Sequence, residues 1–324
     1  MNSADSLSDV QHFSARGKLL LSGEYLVAHG GLALAMPVRF GQQLAVLPSK
    51  AIDRAELRWD SCQDDGAIWM SALLLLEDLS TLTRSSLGPD KQPDSEAFNR
   101  LVQLLKICRD QQPGFMAGGM TTYHATTHCD FPRNWGLGTS STLVSLLAQW
   151  SGTDPFALQK AVFGGSGYDV ACATAKGPIL YKLVDGQPRW EPVAFDPPFS
   201  EQLYFVHLGK KQDSRFSLAA FEARGMNPAP WLHTIVHLTI QLRFAETLAD
   251  FSEHLRKHEE VIAALTGFTP VQALHFADFP GVVKSLGAWG GDFVLAASAM
   301  PESELRAYFT NRGFSTVLAW REMV

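Results

Sequence analysis

The chain has 324 residues, of which 46% are hydrophobic and 19% charged, with glycine and proline spread along its length. This composition is typical of a globular protein and excludes a fibrous or disordered chain, and the length predicts two domains. A formal net charge of −6 provides no overall attraction to nucleic acid or to an anionic membrane surface, so neither is expected as a partner.

Export and membrane insertion are not expected. The first residues are polar and acidic, unlike a secretory signal, and the apolar runs are far shorter than the roughly 20 residues needed to cross a bilayer. The four cysteines lack the paired spacing of a zinc site or a disulfide framework, so we expect reduced, mostly buried thiols. They are Cys62, Cys108, Cys129 and Cys172. We therefore predict a cytoplasmic protein.

Hydrophobic periodicity and turn residues predict the first elements. Phe13–Val27 is predicted to form a strand, a turn and the start of a further element, and Gln43–Leu47 a second strand. Trp69–Leu82 is predicted to be a buried helix, Arg84–Glu96 an exposed loop and Phe98–Arg109 another helix.

The middle of the chain contains a strand, a glycine loop and a helix in succession. The strand is predicted at Met120–His128, and further strands at Pro178–Lys182 and Gln202–Leu208. Helices are predicted at Pro230–Ala249 and Phe251–Leu265.

The last part of the chain mixes short elements of both kinds. After Pro270 we predict a helix from His275, a glycine segment, a strand at Phe293–Ala297, a helix at Glu302–Arg312 and a strand near Ser315–Trp320. This order predicts a small second α+β domain.

The most informative local motif is GLGTSS, between a predicted strand and a long apolar helix. Its residues are Gly136, Leu137, Gly138, Thr139, Ser140 and Ser141. Glycines let main-chain N–H groups approach an anion, hydroxyls add donors or a metal ligand, and a helix N-terminus favours negative charge. The motif is a candidate phosphate-binding loop, although the same pattern also occurs as a plain helix N-cap. Because the Gly-Lys-Ser/Thr ending of a Walker loop is absent, an ordinary P-loop fold is not expected.

Two further motifs occur at a distance on either side of this loop. Residues 16–25 are RGKLLLSGEY and residues 284–293 are KSLGAWGGDF. With GLGTSS they resemble the three ordered motifs of the GHMP kinases, named for galactokinase, homoserine kinase, mevalonate kinase and phosphomevalonate kinase. The resemblance spans nearly the whole chain. It implies an α+β fold of two domains, a βαβ-type ATP-binding domain at residues 1–212 and a smaller ferredoxin-like domain at residues 213–324.

A fourth segment, GGSGYDVACA at residues 164–173, resembles the turn that leads to the active-site aspartate of mevalonate and phosphomevalonate kinases. The resemblance implies that Asp169 is catalytic, whereas the residues alone also fit an aspartate that caps the following helix. It further implies that Lys18 points at Asp169 and at the transferred phosphoryl group. The loop at residues 136–141 would then hold the phosphates of ATP, and Ser140 would help to place Mg²⁺. Such a reaction depends on positioning and charge neutralisation more than on covalent help.

Two details of the resemblance favour phosphomevalonate as the acceptor. The Gly-Ser-Gly-aromatic-Asp-Val-Ala run and the Gly-Gly-Asp end of the third motif are similar to those of phosphomevalonate kinases. The implied function is phosphoryl transfer from MgATP to phosphomevalonate, in the mevalonate pathway of isoprenoid biosynthesis. Mevalonate is the alternative acceptor, and a non-catalytic ligand-binding paralogue is the alternative class of protein. A homodimer is left open.

A basic segment, LGKKQDSR at residues 208–215, lies where these kinases have a loop on the substrate side. Three cations within six positions suit an anionic acceptor, although a solvated basic turn explains them equally well. The predicted substrate contacts, taken from this segment and from the motifs, are Glu24, Ser166, Lys210, Lys211, Arg215, Gly287, Gly290 and Gly291.

Three departures from the family pattern are present. Residues 154–163 contain no glutamate, where mevalonate kinases carry a Mg²⁺ ligand, so Gln159 takes a weaker role or the ion rests on Ser140 and ATP alone. Trp289 stands where the third motif usually has glycine, and Tyr25 stands where histidine is common. These changes indicate a divergent branch whose substrate need not be that of its relatives.

Overall fold

The computed structural model describes residues 9–86, 95–117, 119–210 and 214–324. The chain divides into two compact units, each assembled from three segments. The first unit comprises the chain up to Arg16 together with Phe40–Arg133 and Thr139–Gly164. The second comprises Gly17–Arg39, Asn134–Gly138 and Gly165–Val324.

Strands and helices alternate in blocks along the described residues. The strands are β1 (Gln11–Ser22), β2 (Ala33–Lys50), β3 (Glu56–Cys62), β4 (Ile68–Leu75), β5 (Thr81–Ser86), β6 (Thr121–Cys129), β7 (Ile179–Val184), β8 (Gln187–Pro192), β9 (Leu203–His207), β10 (Val282–Ser285), β11 (Phe293–Ala297) and β12 (Val317–Ala319). The helices are α1 (Ser95–Gln111), α2 (Thr139–Ser151), α3 (Pro155–Val162), α4 (Tyr168–Thr174), α5 (Ser214–Ala223), α6 (Ala229–Phe244), α7 (Leu248–Thr266), α8 (Val271–His275), α9 (Glu302–Thr310) and α10 (Trp320–Met323). None of the helices in the described ranges is both long and apolar enough to cross a membrane.

In the first unit, the strands follow the order β5-β4-β3-β6-β2. The β3–β6 pair is parallel and the other neighbours are antiparallel. Threonine-rich β6 suits a strand because β-branched side chains fit a pleated surface. Helix α1 presents a buried stripe at helical spacing, formed by Phe98, Leu101, Leu105 and Cys108.

The predicted buried helix at Trp69–Leu82 is wrong. The region forms β4 and β5, which pair in an antiparallel hairpin. Met70, Ala72 and Leu74 are buried at every second position, which is the period of a strand. The short apolar run that follows Trp69 fits either kind of element, and pairing with β3 selects the strand.

The second unit contains an antiparallel sheet with the order β10-β11-β9-β12. Helices separate β9 from β10 and β11 from β12, so the chain follows the β-α-β-β-α-β pattern of a ferredoxin-like fold, as predicted. Strand β9 lies before the predicted domain boundary at residue 212 and still pairs in this sheet. The boundary itself stays a prediction, because residues 211–213 lie outside the described part of the chain.

Helix α7 brings two polar side chains into the interior of the second unit. Its N-cap is Thr247, whose side chain accepts a hydrogen bond from the Asp250 N–H at 3.1 Å, and it ends at Gly267, which has φ 74°. Between these ends, His258 and Glu259 are 0% and 5% exposed. The predicted helix starting at His275 is wrong, since α8 ends there.

Candidate active site

Lys18 of β1 lies against residues 136–138 of the GLGTSS motif, which belong to the second unit. Its main-chain N–H donates to the Leu137 carbonyl at 2.8 Å, and its ammonium group donates to the Gly136 carbonyl at 2.9 Å. The same ammonium lies 6.0 Å from the centre of the Tyr168 ring. Lys18 is half-buried, and the bond to Gly136 places its ammonium group beside the GLGTSS motif.

Two positions of the GLGTSS motif have a main-chain conformation that favours glycine. Gly136 and Gly138 have φ values of 70° and 97°. A Cβ at Gly136 would collide with the Asp292 carboxylate, which belongs to the third motif. Helix α2 begins at Thr139 in the first unit, where Ser140 is exposed.

Asp169 is the second residue of α4, directly after Tyr168. Gly167 precedes the helix with φ 84°, and Asp169 Oδ1 accepts a hydrogen bond from the Val170 N–H at 3.1 Å. Asp169 is half-buried. The N-cap of α4 is Gly167 and not Asp169, although Asp169 accepts from one N–H of the first turn; the catalytic role of Asp169 stays a prediction.

Electrostatic effects place Lys18 and Asp169 in one neighbourhood. Burial raises the pKa of the Cys172 thiol, the negative charge of Asp169 raises it further, and Lys18 lowers it. Burial also raises the pKa of the Tyr168 phenol, and the charges of Asp169, Glu24 and Asp292 add to that rise. One positive and three negative side chains therefore act on Tyr168 and Cys172.

Ser166, a predicted substrate contact, is held through its main chain. Its carbonyl accepts a hydrogen bond from the Tyr181 hydroxyl. Burial and the Asp169 charge both raise the pKa of that hydroxyl, so it stays protonated and acts as a donor. The turn before Asp169 is thereby anchored to β7.

The third motif begins at the end of β10 and contains four residues in the left-handed region. They are Gly287, Trp289, Gly290 and Asp292, with φ values of 62°, 57°, 85° and 54°. The Asp292 N–H donates to the Lys210 carbonyl at 2.7 Å, and its own carbonyl accepts from the Leu208 N–H at 2.8 Å. The glycine-rich turn is thus tied to the start of the basic segment.

Of the predicted basic contacts, Lys210 is exposed. Lys211 and the side chain of Arg215 lie outside the described residues. The basic segment is therefore described only at its first cation.

Sequence reasoning missed a buried cluster that joins the first motif to the third. The Lys284 ammonium donates to Glu24 and also to the Ser285 carbonyl, the latter at 2.7 Å. The Gly23 N–H donates to His258 Nε2 at 3.1 Å, and the Ser285 N–H donates to Glu259 Oε1 at 3.0 Å. The four side chains of this buried cluster, Glu24, His258, Glu259 and Lys284, are each at most 5% exposed.

The buried cluster contains two carboxyl groups and only one lysine. Burial raises the pKa of Glu259 to about 8, with Lys284 opposing the rise and Glu24 adding to it. Burial, followed by the Lys284 charge, lowers the pKa of His258 well below its usual range. Burial also raises the pKa of Glu24, with the Lys284 charge opposing the rise, and Glu24 and Lys284 form an ion pair. The shifts of Glu259 and His258 favour their neutral forms at neutral pH. The prediction that Glu24 contacts substrate is untested, and its carboxylate faces inward.

No protein-family model matches this sequence, and no curated protein sequence is significantly similar to it. Solved structures do share its fold, which is the two-domain α+β fold of the GHMP kinases. One is the S. pneumoniae phosphomevalonate kinase in complex with phosphomevalonate and AMPPNP, with a TM-score of 0.68, 17% identity, and coverage of 95% of this chain and 99% of that one. The L. major mevalonate kinase with R-mevalonate has a TM-score of 0.65, 14% identity, and coverage of 96% and 94%. The L. lactis galactokinase with galactose has a TM-score of 0.62, 12% identity, and coverage of 95% and 89%. The predicted fold class is confirmed.

Proposed function

We propose that this protein is an ATP-dependent small-molecule kinase and that it transfers a phosphoryl group to phosphomevalonate. The observation that carries the proposal is the position of Lys18, whose ammonium is bonded to Gly136 and lies beside Tyr168, the neighbour of Asp169. Phosphoryl transfer needs a cation, a phosphate-binding loop and a carboxylate in one place. The likeness of the fold to mevalonate and phosphomevalonate kinases supports a small-molecule kinase, and the choice of acceptor rests on the resemblance of residues 164–173 and of the Gly-Gly-Asp end of the third motif.

Each of these residues has a chemical task in the proposed reaction. Lys18 steadies the negative charge that develops on the transferred group. Asp169 orients the acceptor and balances the Lys18 charge; for an alcohol acceptor it also takes the proton. The main-chain N–H groups of residues 136–141 hold the phosphates at the start of α2. Ser166, Gly287, Gly290 and Gly291 are proposed to contact the acceptor.

The residues present fit a nucleotide that brings its own metal ion. Mg²⁺ supplies charge neutralisation on the phosphates and is commonly held by one or two protein oxygens together with those phosphates. Within the described ranges, no group of three or more His, Cys, Asp or Glu side chains is arranged to hold a metal. The Gln159 Oε1 atom is buried and has no hydrogen-bond partner among the described residues. Ser140 is proposed as the protein ligand, with ATP supplying the rest.

Glu24 is proposed to act as a positioning residue. Its carboxylate is bonded to buried Lys284, and the next residue, Tyr25, donates from its hydroxyl to the Ala288 carbonyl at 2.7 Å. These two bonds hold the first motif against the third. The proposed setting is the mevalonate pathway of isoprenoid biosynthesis in the cytoplasm.

A coupled assay of ADP release tests the proposal. The full chain is given MgATP with phosphomevalonate, with mevalonate, or with no acceptor. We expect turnover with phosphomevalonate that exceeds both other arms. Faster turnover with mevalonate would replace the acceptor, and release equal to the acceptor-free arm would favour a non-catalytic ligand-binding paralogue.

A further inference from the structure

His207, at the end of β9, forms hydrogen bonds with both of its ring nitrogens. Nε2 lies 3.1 Å from the Asn134 carbonyl oxygen, and Nδ1 accepts from the Gly209 N–H at 3.3 Å. Because a carbonyl only accepts, Nε2 carries the proton and Nδ1 carries none. Burial lowers the pKa of His207, while the bond to Asn134 and the charge of Asp292 oppose that shift. The neutral ring therefore links two main-chain groups that are far apart in the chain.

These two main-chain groups belong to different parts of the proposed active site. Asn134 is two residues before Gly136 and belongs to the second unit together with residues 135–138. Gly209 is the second residue of the basic segment at residues 208–215, for which the sequence predicts contacts with an anionic acceptor. His207 thus lies between the start of the proposed phosphate-binding loop and the start of the basic segment.

Aromatic rings hold the His207 side chain, which is 6% exposed. The centre of its ring lies 5.0 Å from that of Phe293 and 6.3 Å from that of Trp135. Trp135 follows Asn134 directly in the chain and packs edge-on against Phe293 at 5.4 Å. Since closely packed side chains transmit displacements, a shift of residues 134 and 135 moves the His207 ring and with it the acceptor of the Gly209 N–H.

The residues on either side of Gly209 have a different partner. The Leu208 N–H donates to the Asp292 carbonyl at 2.8 Å, and the Lys210 carbonyl accepts from the Asp292 N–H at 2.7 Å. Gly209 has φ 72°, and its N–H is bonded to His207 instead. The third motif therefore fixes residues 208 and 210, whereas the residue between them is bonded to the side chain that also holds Asn134.

We propose that His207 is a positioning residue that couples nucleotide binding at the phosphate-binding loop to acceptor binding at the start of the basic segment. The inference rests on the proposed function, which assigns the nucleotide and the acceptor to these two segments. ATP that fixes residues 134–138 also fixes the Asn134 carbonyl and, through the His207 ring, the Gly209 N–H. The acceptor then has less conformational freedom to remove when it binds, so each ligand tightens the binding of the other.

Amide hydrogen exchange tests this coupling with the nucleotide alone. Exchange is followed on the full chain by mass spectrometry, with and without MgAMPPNP, in overlapping peptides that resolve the Gly209 amide. AMPPNP is expected to slow exchange of this amide at least ~5-fold, because its bond to His207 opens less often. An unchanged rate in wild-type protein that has bound AMPPNP would overturn the proposal.

Two substitutions each remove one of the two bonds. His207→Asn keeps an oxygen at the place of Nδ1 for the Gly209 N–H and lacks the donor to Asn134. His207→Gln keeps a donor at the place of Nε2 and lacks the acceptor for Gly209. In both variants AMPPNP is expected to slow Gly209 exchange less than ~2-fold, the remainder passing through the Asp292 carboxylate next to Gly136. Wild-type slowing in His207→Asn would overturn the proposal.

His254→Gln is the matched control. His254 of α7 is half-buried in the same unit, and burial lowers its pKa as well. The control is expected to show the wild-type slowing of Gly209 exchange. Loss of the slowing in His254→Gln as well would show that it does not depend on the bonds of His207, and would overturn the proposal. Urea unfolding checks that all three variants are folded.

Calorimetry measures the coupling itself and separates it from the proposed function. AMPPNP is expected to tighten phosphomevalonate binding at least ~5-fold in the wild type and less than ~2-fold in His207→Asn. Turnover of phosphomevalonate together with equal coupling in the two proteins rejects the role of His207 and keeps the kinase. Slower Gly209 exchange with AMPPNP, but no ADP release with phosphomevalonate, supports the link through His207 and rejects this acceptor. Binding of neither ligand rejects the kinase and the coupling with it.

Discussion

The ammonium group of Lys284 donates a hydrogen bond to the carboxylate of Glu24, a residue 260 positions away, and neither side chain is exposed. The bond joins the third motif to the first. Both charges lose their hydration on burial. Removing one partner therefore destabilises the fold strongly, because the other charge stays buried without a countercharge.

Replacing Lys284 by methionine is expected to lower the free energy of unfolding by about 3–5 kcal/mol, because the Glu24 carboxylate is left buried without a cation. Urea unfolding measures the change. The matched control is Lys257→Met, whose ion pair with Glu253 at 2.6 Å is on the surface, with both side chains more than half exposed. That control is expected to change stability by about 0.5 kcal/mol or less. Equal losses in both variants would contradict a buried charged pair.

The raised pKa of Glu259 leads us to expect that the stability of the protein depends on pH. Burial raises its pKa from 4.5 to about 8, so between these pH values the folded state holds a proton that the unfolded state has released. The stabilising effect of this proton is complete below the pKa of Glu259 in the unfolded chain. It is lost as the pH rises through the pKa of Glu259 in the folded protein. The slope is about −1.4 kcal/mol per pH unit in this window.

Glu259→Gln removes that slope while keeping an oxygen that accepts from the Ser285 N–H. Urea unfolding of the wild type and the variant between pH 5 and pH 9 checks it. The variant is expected to gain stability relative to the wild type as pH rises and to level off above about 8. Glu260→Gln, at the exposed neighbouring position, is expected to follow the wild-type curve. Parallel curves for all three proteins would show that Glu259 is ionised in the folded state.

Gly136 and Gly164 offer a matched pair of alanine substitutions, since their φ values are 70° and 68°. A Cβ at Gly164 meets open space, so Gly164→Ala is expected to cost only backbone strain of about 1–2 kcal/mol. A Cβ at Gly136 collides with the Asp292 carboxylate, so Gly136→Ala is expected to cost more. Urea unfolding measures both losses.

Calorimetry with AMPPNP adds a second readout for this pair. Gly136→Ala is expected to weaken nucleotide binding at least ~10-fold, because the proposed phosphate loop has to move. Gly164→Ala is expected to bind AMPPNP as the wild type does. Equal effects of the two changes would show that the contact between Gly136 and Asp292 has no role.

Elements with a clear period were predictable from the sequence. The strand predicted at Phe293–Ala297 has the same bounds in the structure, and the predicted helix Phe98–Arg109 lies within α1. Trp69–Leu82 was mistaken for a helix because a continuous apolar run has no period of its own, and only pairing with β3 decides it.

The buried cluster was partly readable from α7. His258 falls on the stripe of Phe251, Leu255, Ile262 and Leu265, which are all buried, so helical spacing alone places it inside. Its neighbours in the cluster could not be predicted, because Lys284 and Glu24 are 260 positions apart and come together only in the folded chain. Trp289 was visible as a departure from the third motif, but its place in the core beside Tyr25 was not.

The most direct test of the proposed function is ADP release from MgATP and phosphomevalonate by the wild type and by Asp169→Ala. The variant is expected to lose at least ~100-fold in rate, in line with removal of a group that acts on the reacting atoms, while it stays folded and still unfolds cooperatively in urea. Asp196→Ala, at an exposed position, serves as the control and is expected to keep the wild-type rate. Wild-type turnover by Asp169→Ala would contradict the assignment of this site.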